Sequence, residues 1–235
     1  MDAKKFSPPP ERAHDNAYAL PYQMASVRLA DTANVPQLCE RAGVQCQPSD
    51  EGWLIALPYL GRRYRVRCPE VEISALESEA ASLRDKLLML HYLTTARGTP
   101  PAGRWVAFRE LPEGNVYFPT FSQRAVRPIL ERFGKAPEEL VKAAATLGGR
   151  RAEQGDVAVT IDGFPRVPVT FVIWRGDAEL PPQGNIVFDA NIADYLPTED
   201  VTALCETIAW RLVRSAPTPP EPAPSLHNGT RPPGT

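Results

Sequence analysis

Seven carboxylates fall between Arg175 and Arg211 with no Lys or Arg among them: Asp177, Glu179, Asp189, Asp194, Glu199, Asp200 and Glu206. Negative groups gathered in this way repel one another unless guanidinium groups, a cation or a ligand lies between them. Such oxygen donors suit a hard divalent cation or a basic partner surface. Ile186-Val-Phe188 and Tyr195-Leu-Pro197 are threaded through them, so the segment is expected to be part of the folded body. The plainer account places Glu199 and Asp200 in the first turn of a helix, where the dipole favours acid, and the others at solvated strand ends. Asp177 and Glu179 are two apart, so in extended chain their carboxylates point to one side. Arg104, Arg109, Arg166 and Arg175 are at hand to neutralise them.

Other chemistry has less to stand on. There is no G-x-G-x-x-G and no G-x-x-x-x-G-K-[ST]. Leu147-Gly-Gly-Arg150 follows a helix, where glycines stop it, and so reads as a C-cap and not as a phosphate cradle. His91 is the one histidine well inside the body, beside Leu90 on an apolar helix stripe. A hydrogen-bonded core histidine is the expectation, with a metal ligand or general base as the alternative. Cys39, Cys46, Cys68 and Cys205 form no C-x-x-C pair and carry no zinc or iron–sulfur spacing, so they read as buried thiols.

The elements that must position these groups follow from periodicity and punctuation. Asn34–Gly43 has an Asn cap, an early Pro and a closing Gly, which predicts a short helix. Gly52–Leu57 and Arg63–Cys68 read as a hairpin turning at Pro58–Gly61. Ser74-Ala-Leu-Glu77 is a capping-box pattern opening a helix with Leu76, Ala80, Leu83, Leu87, Leu90 and Thr94 on one stripe. Arg104–Glu110 reads as a strand, paired with a second at Val116-Tyr-Phe118. Helices are expected over 122–133 and 137–147, and strands over 156–161 (half-buried), 167–174 and 185–188. A last helix starts at Thr198-Glu-Asp200 with a hydroxyl cap. Paired strands and grouped helices predict an α+β fold: largely antiparallel sheet packed with four or five helices.

Composition sets the frame. The chain has 235 residues, 43% of them hydrophobic, enough for a substantial core. A net charge of −2 offers no basic excess for nucleic acid or an anionic membrane. Seven of the 26 prolines lie in 215–235, a stretch nearly devoid of large apolar side chains. Residues 1–14 and 215–235 are therefore expected to be disordered tails, or polyproline II ligands, around a single domain at 15–214. The N-terminus lacks the apolar run of a signal peptide, and no stretch reaches the ~18–20 apolar residues of a membrane span. A cytoplasmic location is the expectation.

Several blocks then occur in order: Leu90-His-Tyr-Leu93, Gly98-Thr-Pro100, Trp105-Val-Ala-Phe-Arg-Glu-Leu-Pro112, Leu147-Gly-Gly149, Phe164-Pro-Arg-Val-Pro168, Trp174-Arg-Gly-Asp-Ala-Glu179, Asn185-Ile-Val-Phe-Asp189 and Tyr195-Leu-Pro-Thr-Glu-Asp200. Over roughly 15–214 the series resembles a family of bacteria and archaea, many of them anaerobes, catalogued as a domain of unknown function. The resemblance implies a redox or corrinoid neighbourhood, because the family's domain is sometimes found with an iron–sulfur domain of the kind seen in corrinoid iron–sulfur proteins. It implies no activity and no cofactor. The four cysteines here form no cluster motif, so an iron–sulfur or corrinoid partner would be a separate chain.

The expectation is a non-catalytic binding or accessory protein whose recognition patch comprises Arg109, Trp174, Asp177, Glu179, Asp189, Tyr195, Glu199 and Asp200. The alternative is a metal-dependent enzyme using the carboxylates between Asp177 and Asp200, assisted by His91 or Arg109. Either requires those carboxylates to converge.

Overall fold

The computed structural model describes residues 11–76 and 80–216. Of the expected tails at 1–14 and 215–235, residues 1–10 and 217–235 lie outside the described residues, as does Glu77 of the capping-box pattern, while residues 11–14 and Ser215 fall in helices. Helix α1 (Glu11–Ala30) was not anticipated from the sequence, where Pro21 interrupts the pattern. It lays Ala25 and Leu29 onto the core. Helix α2 (Val35–Ala42) is as read, with Asn34 accepting from the Gln37 N–H at 3.1 Å and Gly43 left-handed at φ +66°.

Two antiparallel sheets follow. The first is a meander of β1 (Gln45–Ser49), β2 (Gly52–Tyr59), β3 (Arg62–Cys68) and β4 (Glu72–Ala75), in that spatial order. The β2–β3 hairpin turns at Leu60-Gly61, and the added Cβ of any other residue at 61 would stand 2.7 Å from the Leu147 carbonyl oxygen. The second sheet is ordered β5 (Trp105–Ala107), β9 (Gln183–Asp189), β8 (Val167–Trp174), β7 (Val157–Phe164) and β6 (Arg150–Ala152). The expectation of a half-buried β7 needs correction. Val157 through Ile161 are all buried, because β7 is an inner strand with helix α6 (Glu138–Ala145) packed against it. The fold class is α+β, as the paired strands and grouped helices implied.

Two helix expectations and one strand expectation change. Ser74 lies in β4; helix α3 (Leu83–Thr95) starts later, where Ser82 accepts from the Asp85 N–H at 3.1 Å. Val116-Tyr-Phe118 is not a strand but part of α4 (Gly114–Phe121), which runs through a π-helical turn at Ser122–Val126 into α5 (Arg127–Phe133). The deciding interaction is stacking: Phe121 lies on Phe108 with ring centroids 3.8 Å apart, and Gly114 admits no Cβ against the Phe108 carbonyl. Helix α7 (Thr198–Ser215) lacks a hydroxyl cap, because the Thr198 hydroxyl donates to the Pro112 carbonyl at 2.7 Å instead.

A row of buried rings ties the two sheets to α3. Tyr64 meets Tyr59 at 6.1 Å, Tyr59 meets Phe164 at 5.0 Å, Phe164 stacks on Tyr92 at 4.2 Å, and Tyr92 faces Tyr195 at 5.9 Å. Each pair adds to its burial roughly 0.5–1.5 kcal/mol. The row fixes α3 and the segment after β9 as one body, and that rigidity decides where the acidic residues point.

Candidate functional site

Strand β9 divides the acidic segment. Asp177 and Glu179 precede its first residue, and Asp189 is its last. At about 3.3 Å per residue the strand holds its two ends roughly 20 Å apart. The expected patch is therefore two separate places.

At the first end, residues 175–182 form a self-supporting corner. The Asp177 carboxylate accepts the N–H groups of Glu179 and Leu180, each at 2.8 Å, and the Asp177 N–H donates to the Leu180 carbonyl at 2.9 Å. The backbone N–H groups of Leu180 and Glu179 hold the Asp177 carboxyl below its ordinary range. Gly176 is required: a Cβ there would lie 2.7 Å from the Pro182 nitrogen. Arg175 anchors the base, its N–H donating to Asp156 at 2.7 Å and its guanidinium to Glu138 at 2.9 Å. The corner leaves Trp174 and Leu180 42% and 60% exposed. An open hollow of about 450 Å³ separates it from Gly134, Lys135 and Pro137.

At the other end the expected site residues turn inward. Asp189 is 5% exposed and accepts the N–H groups of Ala102 and Gly103 at 2.8 Å and of Asn191 at 3.0 Å. It clamps the loop after α3 onto the strand. Tyr195 is fully buried, its hydroxyl donating to the Thr99 carbonyl; burial raises its pKa. Asp194 accepts from the Thr99 hydroxyl at 2.7 Å and from Arg97 at 3.3 Å. Arg109 sits 3.5 Å over the Phe118 ring. Glu199 is exposed and lines a second, smaller hollow of about 290 Å³ with Pro112, Glu113, Tyr117 and Thr198 among its neighbours.

Asp200 meets His91. The carboxylate lies 2.7 Å from Nδ1, with side chains 10% and 31% exposed. An acid on one ring nitrogen selects the tautomer and leaves the other nitrogen as the acceptor of a proton. Among the described residues no hydrogen bond joins that second nitrogen to a hydroxyl or thiol.

A buried polar network escaped the sequence reading. Glu206, 4% exposed, accepts from Arg84 at 3.0 Å and from the Arg124 Nε at 3.1 Å, while Arg84 also donates to the Thr207 hydroxyl at 2.7 Å. Beside it Asp85, 6% exposed, accepts from the Tyr59 hydroxyl at 2.7 Å and from Arg211 at 2.9 Å. The available signal was two acids on apolar helix faces, Asp85 before Leu87-Leu88 and Glu206 after Cys205. Buried acids are nearly always paired.

These placements bear on the metal-dependent alternative. Among the described residues no group of three or more His, Cys, Asp or Glu is arranged to hold a metal ion. No helix among them is long and apolar enough to cross a membrane.

Comparison with family models matches residues 34–211 to the Domain of unknown function (DUF3786). No curated protein and no solved structure matches the chain. The match spans most of the length, and the chain belongs to the DUF3786 family.

Proposed function

We propose that the protein is a non-catalytic binding or accessory protein that docks a partner through the Trp174–Pro182 corner. One observation carries this reading: the corner is rigid without ligand, yet it presents a Trp and a Leu to solvent beside acidic Asp177 and Glu179. A loop stiffened by its own hydrogen bonds loses little conformational entropy on binding, and exposed aromatic or aliphatic anchors are what such surfaces use. The acidic rim favours a partner with basic groups around an apolar recess. A redox or corrinoid/iron–sulfur protein is the partner class we propose, and it rests on the family's associations alone.

The test is affinity purification of the tagged protein from its native host. A redox or corrinoid protein is expected to co-purify, and to be lost when Glu179→Lys and Leu180→Asp are combined. Both substitutions spare the backbone hydrogen bonds that Asp177 makes. Unchanged capture by the double variant, or no redox or corrinoid protein among the captured chains, overturns the reading.

A further inference from the structure

Helix α1 carries apolar side chains on two opposite faces, and the rest of the described chain covers only one of them. Tyr18, Tyr22, Ala25 and Leu29 recur at i, i+4, i+7 and i+11 and lie against the core, where α1 packs on α3. Ala17, Leu20, Met24 and Val27 recur at the alternating three- and four-residue steps of a coiled-coil seam. At 100° per residue this second set points roughly 150° away from the first. All four are exposed, Leu20, Met24 and Val27 at 66%, 65% and 60%. No Asp, Glu, Lys or Arg interrupts residues 16–27. A surface helix ordinarily turns charged and polar residues to water, and one that is apolar on both sides is suited to lie between two bodies. Three large apolar side chains in a row on a charge-free helix form a contiguous exposed patch of the kind that marks an interaction site.

The seam itself narrows what covers it. A helix lying on an anionic membrane is rich in Lys and Arg, whereas Arg28 is the one basic residue beside this seam. In paired helices a different chain is selected by charges on the positions flanking the seam, yet Pro21 and Gln23 there are uncharged. A second copy of α1 meets neither obstacle. A parallel pair would set Arg28 beside Arg28 and Asp31 beside Asp31. An antiparallel pair about a two-fold axis sets Leu20 against Met24 of the second copy, and small Ala17 against Val27 of the second copy. It also moves the two Arg28 side chains about 18 Å apart along the axis, twelve residues at 1.5 Å each. The contact is small. A helix of 20 residues offers a strip about 30 Å long and about 10 Å wide. That is well short of the roughly 800 Å² per partner of a stable complex, so the pair comes apart on dilution.

We propose that α1 is a self-association surface, through which two copies of the chain pair reversibly by an antiparallel, two-fold contact of their Ala17–Val27 seams. The contact involves none of the residues of the Trp174–Pro182 corner, so either reading can fail without the other.

Sedimentation equilibrium of the full chain, from about 5 to about 500 µM, is the test. The mass is expected to be 25.9 kDa at the dilute end and to approach twice that at the concentrated end. Met24→Glu and Leu20→Lys each put a charge into the seam and should weaken pairing roughly tenfold or more. Both side chains are exposed, so each variant keeps its fold, which circular dichroism checks. An equimolar mixture of the two variants is expected to regain mass, because antiparallel pairing sets position 20 of one against position 24 of the other. A parallel pair would not bring those positions together. A mass fixed at 25.9 kDa throughout, association untouched by Met24→Glu, or a mixture no heavier than its components overturns the proposal. So does a chain that stays monomeric yet floats with phosphatidylcholine vesicles until Met24→Glu releases it, which assigns the seam to lipid.

Discussion

Asp189 separates the two accounts of this protein most sharply, because one makes it a ligand-facing acid and the other a clamp. Its carboxylate takes three backbone N–H groups, from Ala102, Gly103 and Asn191. A hydrogen bond to a charged group contributes about 1.5–3 kcal/mol net. In Asp189→Ala the three donors fare differently. Ala102 and Gly103 are exposed and can turn to water, retaining most of their solvation. Asn191 is 4% exposed, so its N–H is stranded and carries close to the full penalty. One full loss and two partial ones sum to about 3 kcal/mol, lessened slightly by no longer burying a charge. At ~2–4 °C per kcal/mol for a chain of this size, Tm should fall by roughly 6–12 °C. Asp189→Asn should recover part of the loss, because its amide oxygen can still accept from Ala102 and Asn191 while its NH2 meets only the exposed Gly103 N–H. Thermal unfolding followed by circular dichroism, without ligand, is the measurement. A Tm within about 1 °C of the unaltered protein would refute the clamp and return Asp189 to the candidate ligands.

Glu206→Gln should destabilise by about 3 kcal/mol in urea titration, since it strips the charge shared by Arg84 and Arg124. Removing Arg84 as well, as Arg84→Met, should restore part of that loss; strictly additive losses would show that the pair is not coupled. Stability should also decline above pH 9. Burial, then the charges of Glu70 and Cys46, push the Cys68 thiol from 9.0 up to about 11. Between those values the unfolded thiol has released its proton and the folded one has not. The native state then binds more protons, and stability falls as pH rises. At 1.36 kcal/mol per unit the Cys68 share of the fall is roughly 2–3 kcal/mol, and Cys68→Ala should lessen the slope between pH 9 and 11 by that amount, leaving the part due to buried Cys39 and Cys205, whose thiols are also raised. An unaltered slope in that variant removes Cys68 as the cause.

What the sequence disclosed depended on whether the deciding contact was local. Helix α2 was legible because its cap, its Pro and its closing Gly are all within ten residues. The β2–β3 hairpin and β8 were legible because alternation and β-branched residues report strand directly. Val116-Tyr-Phe118 misled because its β propensity is overridden by Phe121 stacking on Phe108, a contact invisible to a short window. Ser74 misled in the same way. Its capping pattern is sound, yet β4 pairs Ser74 with Arg65, and a neighbouring strand outweighs a cap. Helix α1 escaped because Pro21 breaks its pattern, and only packing against α3 reveals its buried face. That Cys46 and Cys68 share a sheet face could not be read, since it follows only once the register is known.

The acidic segment teaches the same lesson about charge. Along the chain its carboxylates look like a single concentration of negative potential. In three dimensions most are absorbed by groups that distant elements supply: backbone N–H groups for Asp189, the His91 ring for Asp200, Thr99 and Arg97 for Asp194, and two guanidinium groups for Glu206. Asp177 is spent on its own turn. Among the described residues only Glu179 and Glu199 of the seven have carboxylates that accept nothing and face solvent. Glu199 opens α7, where the dipole already accounts for an acid. Glu179 has no such structural use, and it stands on the corner that also exposes Trp174 and Leu180. That combination, an acid without a partner beside two exposed apolar side chains on a loop held by its own hydrogen bonds, is what sets the corner apart as the docking surface we propose.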